Sequence, residues 1–260
     1  PFSKIPAKQR AYSLKSSFMT NILRRYIFGN EDDENIIKDW RLLEFNSLEE
    51  IIEQKVSIYI GKTQQELKKL FNIDSNPKNM NMLLFSRMIG LSQSAENAHE
   101  FRNANIIPKT ICVDKDGSIK ESMSFPAFKF CDIINETWED SELRNLIEPA
   151  KFLFVIFKKN DVDEPVFERI KFWNISAEDL EEVKKVWERT VSIIKAGVQI
   201  EACGQKTKNN LPKSTESDVA HVRPHARNKA DTYPLPDGRE LTKQCFWFNS
   251  SYVKKIIDES

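Results

Sequence analysis

The sequence predicts an α/β (α+β) fold in which helices come first and a mixed sheet follows. Three observations carry that expectation. Apolar residues recur at helical spacing through the N-terminal third; from Asn105 onward, segments rich in β-branched and aromatic residues replace them; and one long amphipathic stretch, "SAEDLEEVKKVWERTVSIIKAG", interrupts those segments. Helices followed by strands, with a helix crossing between them, predict a sheet covered by helices and edged by loops.

Each element follows from local chemistry. "YSLKSSFMTNILRRYIFGN" puts Leu14, Phe18, Ile22 and Tyr26 on one helical face, with Gly29 where a C-terminal cap belongs. "TQQELKKLF" opens with Thr63 three residues before Glu66, a capping box, and Pro77 to Leu91 reads as a further helix. "NIIPKTICV", "SMSFPAFKF" and "KFLFVIFKK" predict strands, with "DKDG" as a hairpin turn between the first two. In the crossing helix Ser176 is the N-cap, Leu180, Val183, Trp187, Val191 and Ile194 line one face, and Gly197 ends it. "GQKTKNNLPKSTESD" is polar and aperiodic, so 204–220 is expected to be a long, flexible basic loop. "ELTKQCFWFNSSYVKKIID" predicts a strand running into a closing helix. With no repeat or break in composition, the chain reads as a single domain over 1–260, with 1–30 as a helix beside a linker. Its start at Pro1, without a leader-like segment, suggests a fragment of a longer chain.

Composition excludes several classes. Lys and Arg total 39 and Asp and Glu total 39, so an indiscriminate polyanion binder is not expected. The charge is nevertheless segregated. Pro1 to Asn30 holds six cations and no acid, and Gln205 to Lys229 holds six (Lys206, Lys208, Lys213, Arg223, Arg227, Lys229) against Glu216 and Asp218. Such clustering fits either a nucleic-acid footprint or a solvated surface. The four cysteines are scattered and the chain has three histidines, which offers no zinc-ligand spacing and points to reduced thiols in the cytoplasm. Phe152 to Phe157 is the longest apolar run, too short to span a bilayer, so a soluble protein is expected.

Metal-dependent cleavage of a phosphodiester needs carboxylates for Mg²⁺ and a nearby lysine, and on a strand Glu-x-Lys would set both on one face. The literal match, Glu66 to Lys68, is helical, and Glu66 is committed to its capping box. The strand-borne setting lies instead in "HEFRNANIIPKTICVDKDG", where Lys109 opens a strand and Glu100 precedes it, but Ile107 occupies the position two before the lysine.

Together "GKTQQELKKLF", "MLLFSRMIG", "EFRNANIIPKTICVDKDGSI", "TWEDSELR", the Trp187 helix, "VRPHARNKA" and "CFWFNSSYVKK" resemble, in order and over nearly the whole chain, the MutH family of restriction-endonuclease-like nucleases. They are more similar still to the second MutH-like half of type II restriction endonucleases that recognise GATC, and "QRAYSLKSSFMTNILRRYI" resembles the segment joining the halves. The resemblance implies a restriction-endonuclease-like fold with a central mixed sheet, flanking helices and a DNA-binding cleft. In active members an Asp, a Glu-x-Lys and a helical Glu serve a Mg²⁺ site. By position these fall on Glu100, Ile107, Lys109 and, on or near, Phe85. Two acids are thus hydrocarbon, and a degenerate site with no catalytic residue and no cofactor of its own is implied, Mg²⁺ belonging to the full enzyme.

The family's DNA-reading Arg-Pro-Lys falls on Arg223, Pro224 and His225, and its adenine-sensing Tyr falls on Trp247. Arg223 suits guanine, Arg227 and Lys229 are expected at phosphates, and Lys206, Lys208 and Lys78 are further residues expected to bind DNA. Phe246 and Phe248 read equally well as core. The expected partners are double-stranded GATC DNA and an N-terminal catalytic domain of the same longer chain, in a bacterial cytoplasm. Two alternatives stand beside this: a working nuclease that recruits an acid such as Glu96, Asp114 or Glu139, and an architectural domain that touches no DNA.

Overall fold

In the computed structural model, residues 34–203 and 206–259 are described, with the isolated positions 19, 23 and 27. The expected helix at Leu14 to Tyr26 and the basic segment at Pro1 to Asn30 therefore lie outside the described residues. Strands β1 (Ile106–Val113), β2 (Met123–Phe128), β3 (Lys151–Lys159) and β4 (Pro165–Trp173) come first. They are followed by β5 (Ile200–Cys203), β6 (Lys206–Asn209), β7 (Ala220–Pro224), β8 (Thr232–Pro234), β9 (Glu240–Thr242) and β10 (Gln244–Phe248).

The expected single central sheet is replaced by two three-stranded sheets, ordered β1-β3-β4 and β2-β10-β7, plus the hairpins β5-β6 and β8-β9. β1 runs parallel to β3, and β4 is antiparallel to it, so this sheet is mixed. β3 is its middle strand and is buried on both faces. Phe152, Phe154 and Ile156 enter one core with the long helix Ala177–Ala196 and the second sheet, while Leu153, Val155 and Phe157 enter another with the N-terminal helices. A continuous apolar run is what a strand covered on both sides requires.

The N-terminal helices form as their caps dictate. Thr63 N–H donates to Glu66 Oε2 at 2.8 Å and Glu66 N–H to Thr63 Oγ1 at 3.2 Å, which closes the box at Gln64–Leu70. The helix Met80–Met88 buries Leu84 and Phe85, and Ser176 caps Ala177–Ala196 through the N–H of Asp179.

Two expectations are corrected. The turn at "DKDG" exists, with Asp114 N–H donating to Ser118 O at 2.8 Å and Gly117 at φ +83°, yet β1 and β2 do not pair. β2 pairs with β10 in the other sheet, so the turn redirects the chain instead of closing a hairpin. Nor is 204–220 one open loop. Residues 206–209 pair with β5, Leu211 is buried, Val222 N–H donates to Pro212 O at 2.8 Å, and Glu216 pairs with Arg189 at 2.7 Å.

No described helix is long and apolar enough to cross a membrane. Cys112, Cys131 and Cys245 are free thiols.

Candidate nucleic-acid interface

β7 and β10 are antiparallel, with Trp247 opposite His221, Cys245 opposite Arg223 and Phe246 opposite Val222. Alternation separates their faces. Val222, Phe246 and Phe248 are buried in the first core, which settles the two phenylalanines as core residues, while Arg223 projects outward. The Arg223 guanidinium lies over the Trp247 ring, with Cζ 4.4 Å from its centroid, and Trp247 Nε1–H donates to Arg223 O at 3.3 Å. His225 tilts against the same indole, ring centroids 5.4 Å apart, and its N–H donates to Lys243 O at 2.9 Å.

The loop after Pro224 is tethered. Asp231 pairs with Lys243 at 2.5 Å and accepts the Arg227 N–H at 3.1 Å; these contacts, the lysine first, hold its carboxyl below the usual range. Lys243 also lies over the Tyr233 ring at 4.6 Å. Pro224, His225, Arg227, Asp231, Tyr233 and Trp247 border one open cleft. Lys229 is exposed on that loop and has a contact of its own. Lys208 is exposed on β6 opposite Glu201, Lys206 lies opposite Cys203 on the same hairpin, and Lys78 is exposed just before the helix Met80–Met88. The structure brings Arg223, Pro224, His225, Arg227 and Trp247 together, and adds His221, Lys243 and Asp231, which the sequence analysis does not name. For His221 the signal was available, since it sits two residues before Arg223 on a strand and so shares its face.

The Lys109 site is built differently. Lys109 lies between Ile107 and Ile111 on the face of β1 that meets the first core, at a cleft of about 510 Å³ also lined by Glu96, Asp114 and Ser124. Burial pushes the ammonium pKa down and Glu96 partly opposes this. Glu100 is not at this cleft. Its helix, His99–Ala104, ends at Asn105 with φ +54°, and its carboxylate accepts the N–H groups of Ile36 at 3.0 Å and Ile37 at 2.8 Å. Phe85 is fully buried in the second core and stacks on Phe101, with centroids 6.5 Å apart. Of the other candidate acids, Asp114 is taken by Lys120 at 2.7 Å and Lys159 at 2.8 Å. Glu139 is exposed on a short 3-10 helix away from the cleft, whereas Glu96 lines it with Lys109 and Glu121, and its charge acts on the lysine. Among the described residues no group of three or more His, Cys, Asp or Glu converges to hold a metal ion. Mg²⁺ asks for near-octahedral oxygen donors with one or two carboxylates, and this donor set does not fit it.

The two sites meet across β2. Ser124, which lines the Lys109 cleft, is the cross-strand partner of Trp247, and Trp247 in turn faces His221 on β7. Strands are spaced by roughly 4.8 Å, so only about 10 Å of sheet separates the cleft wall from the strand that carries Arg223.

No protein-family model matches the chain. A curated relative does: the type II restriction enzyme Sau3AI of Staphylococcus aureus is 36% identical over 298 residues, covering 100% of this chain and 61% of that enzyme. The chain thus spans less than two thirds of its relative, consistent with the C-terminal domain of that protein. Over its whole length the chain is similar to the type II restriction enzyme Sau3AI.

Proposed function

We propose that this chain is a non-catalytic, GATC-specific DNA-binding domain, an allosteric effector that occupies one recognition site and promotes cleavage elsewhere by a separate N-terminal catalytic domain. Mg²⁺ would serve that other domain, and the whole would act in a bacterial cytoplasm. The observation that carries this reading is an outward guanidinium, Arg223 braced on Trp247, beside a Lys109 cleft whose expected ligand positions are Ile107 and a carboxylate tied elsewhere. An Arg fork matches O6 and N7 of guanine in the major groove, and a good bidentate contact discriminates by ~1–3 kcal/mol. Arg227 and Lys229, with Lys206, Lys208 and Lys78, would meet phosphates, and Lys109 would face the phosphate nearest the former catalytic position.

Glu96 at the same cleft as Lys109 favours a second reading, a nuclease with a relocated acid. One experiment separates the two. The chain is incubated with a GATC duplex and a scrambled duplex, with and without Mg²⁺, and run on native and denaturing gels. A GATC-selective shift without cleavage supports the effector reading. Mg²⁺-dependent cuts at GATC support the nuclease, and no shift on either duplex defeats both.

A further inference from the structure

We infer that Trp247 is a positioning residue that acts on DNA through Arg223, its indole holding the guanidinium fork, and that the His221–Asn249 pair fixes the indole from behind. The inference rests on the reading of Arg223 as the base-contacting residue.

An indole has one polar hydrogen and no acceptor. In Trp247 that N–H is spent on the backbone oxygen of Arg223 at 3.3 Å, so the side chain has nothing left with which to hydrogen-bond a base. Its ring face is also engaged, with Arg223 Cζ 4.4 Å from the centroid. A guanidinium lying on an aromatic face keeps its N–H edges free, since the attraction is to the face of the cation and not along its donors. The long arginine side chain would otherwise lose rotamer freedom at the moment of binding, whereas a guanidinium already resting on a ring loses less.

The ring itself is supported. His221, directly across the strand pair, lies nearly parallel to the indole at 17° with centroids 6.5 Å apart. His221 is buried and its Nδ1 is 2.5 Å from Asn249 Oδ1. Asn249 is fastened in turn, its N–H donating to Val219 O at 2.9 Å and its Nδ2–H to Ser217 O at 2.6 Å. A continuous chain of contacts therefore runs from the 217–219 segment through Asn249, His221 and Trp247 to Arg223. Binding geometry of this kind depends on supporting residues that are themselves locked.

The test is a double-mutant cycle on sequence preference, because a ring that touched DNA itself would act independently of Arg223. Affinities for GATC and scrambled duplexes are measured over a salt series for the unmodified chain, Arg223→Ala, Trp247→Ala, the double variant and Trp247→Phe, with thermal melts as a folding control. Expected are an about tenfold loss of GATC preference in Trp247→Ala, an unchanged salt slope, no further loss when Trp247→Ala is added to Arg223→Ala, and substantial retention in Trp247→Phe, which keeps a ring face. If the alanine variant does not fold, Trp247→Leu keeps the apolar bulk without the ring and takes its place in the cycle. Equal losses in both backgrounds would place Trp247 on the DNA itself and overturn the inference, as would undiminished preference in Trp247→Ala. An unmodified chain that binds GATC and scrambled duplexes alike overturns the DNA reading itself, and the inference with it.

Discussion

Lys109 and Arg223 stand on opposite sides of β2, and their surroundings differ in what they ask of the chain. At Lys109, function would require several acids converging on one point. Ile107 brings hydrocarbon, Glu100 turns back to the N–H groups of Ile36 and Ile37, Phe85 is sealed in a core, and Asp114 is bound by two lysines. At Arg223 a single outward fork suffices, and four neighbours (Trp247, His221, His225 and Asn249) support it directly or in series. A metal site is a convergence and fails when any one donor is spent elsewhere, whereas a strand-borne reader is one side chain on a rigid pleat and needs only to be braced.

The largest effect expected from testing that contrast comes from trying to rebuild the Lys109 site. Phe85→Glu would place a carboxylate in the apolar second core, with Leu84, Phe101 and Val155. An unpaired buried charge is among the few causes of losses above ~4 kcal/mol, so this variant should be largely unfolded in a urea melt. Ile107→Glu is milder, because Ile107 is only partly buried, and should cost ~1–3 kcal/mol. Neither variant, nor the pair, should nick a GATC duplex with Mg²⁺ on a denaturing gel. Efficient cleavage by Ile107→Glu would show that the site is still organised for a metal and erase the contrast.

Next in size is Arg223→Ala, which should remove ~1–3 kcal/mol of preference for GATC while leaving the salt dependence nearly unchanged. A fluorescence-anisotropy titration over a salt series reads both quantities. Full retention of preference would move base reading to another residue of the cleft, with His225 first in line.

How far these sites are legible in the sequence depends on how local their determinants are. The Thr63 capping box, the Ser176 N-cap and the continuous apolar run of β3 are encoded within a few residues, and each appears where the chain predicts it. The partner of β2 is not local. The Asp114–Ser118 turn is written in "DKDG", but whether it closes a hairpin depends on β10, far along the chain. Glu100 illustrates the same limit. Its spacing before Lys109 matches a ligand, and only the arrival of Ile36 and Ile37 at its carboxylate shows that it serves the backbone instead. Leu211, a single apolar residue in a polar stretch, anchors what composition reads as loop. Sequence reading also leaves β4 unassigned, because half-buried Glu168 and Lys171 and exposed Arg169 dilute its apolar signal.

A smaller effect should appear with pH. Burial is the main cause that pushes the His221 pKa below its ordinary ~6.5, with the nearby Arg223 charge adding to it and the Asn249 hydrogen bond opposing. The folded state therefore binds fewer protons at this group than the unfolded chain does. Its contribution to stability is complete above about pH 6.5 and is lost as pH falls from there toward the depressed folded value. His221→Gln, which cannot titrate, should lose less thermal stability than the unmodified chain between about pH 7 and pH 5. Parallel curves for the two proteins would mean that His221 is as easily protonated folded as unfolded, and that the support behind Trp247 is looser than the packing implies.

The smallest effect separates phosphate contact from base reading within the same loop. Arg227 is exposed, and its N–H, not its side chain, holds the loop to Asp231. Arg227→Ala should therefore leave the loop in place and remove one positive charge from the DNA face. The loss should fall alike on GATC and scrambled duplexes, and the logarithmic salt slope should shrink by about one, the signature of one phosphate fewer. Affinity at physiological salt would drop only a few-fold, since an exposed charge in water contributes little beyond released counterions. Lys229→Ala should behave in the same way. A loss confined to the GATC duplex would instead place Arg227 beside Arg223 as a second reader, and the two sides of β2 would then differ by two base-contacting residues rather than one.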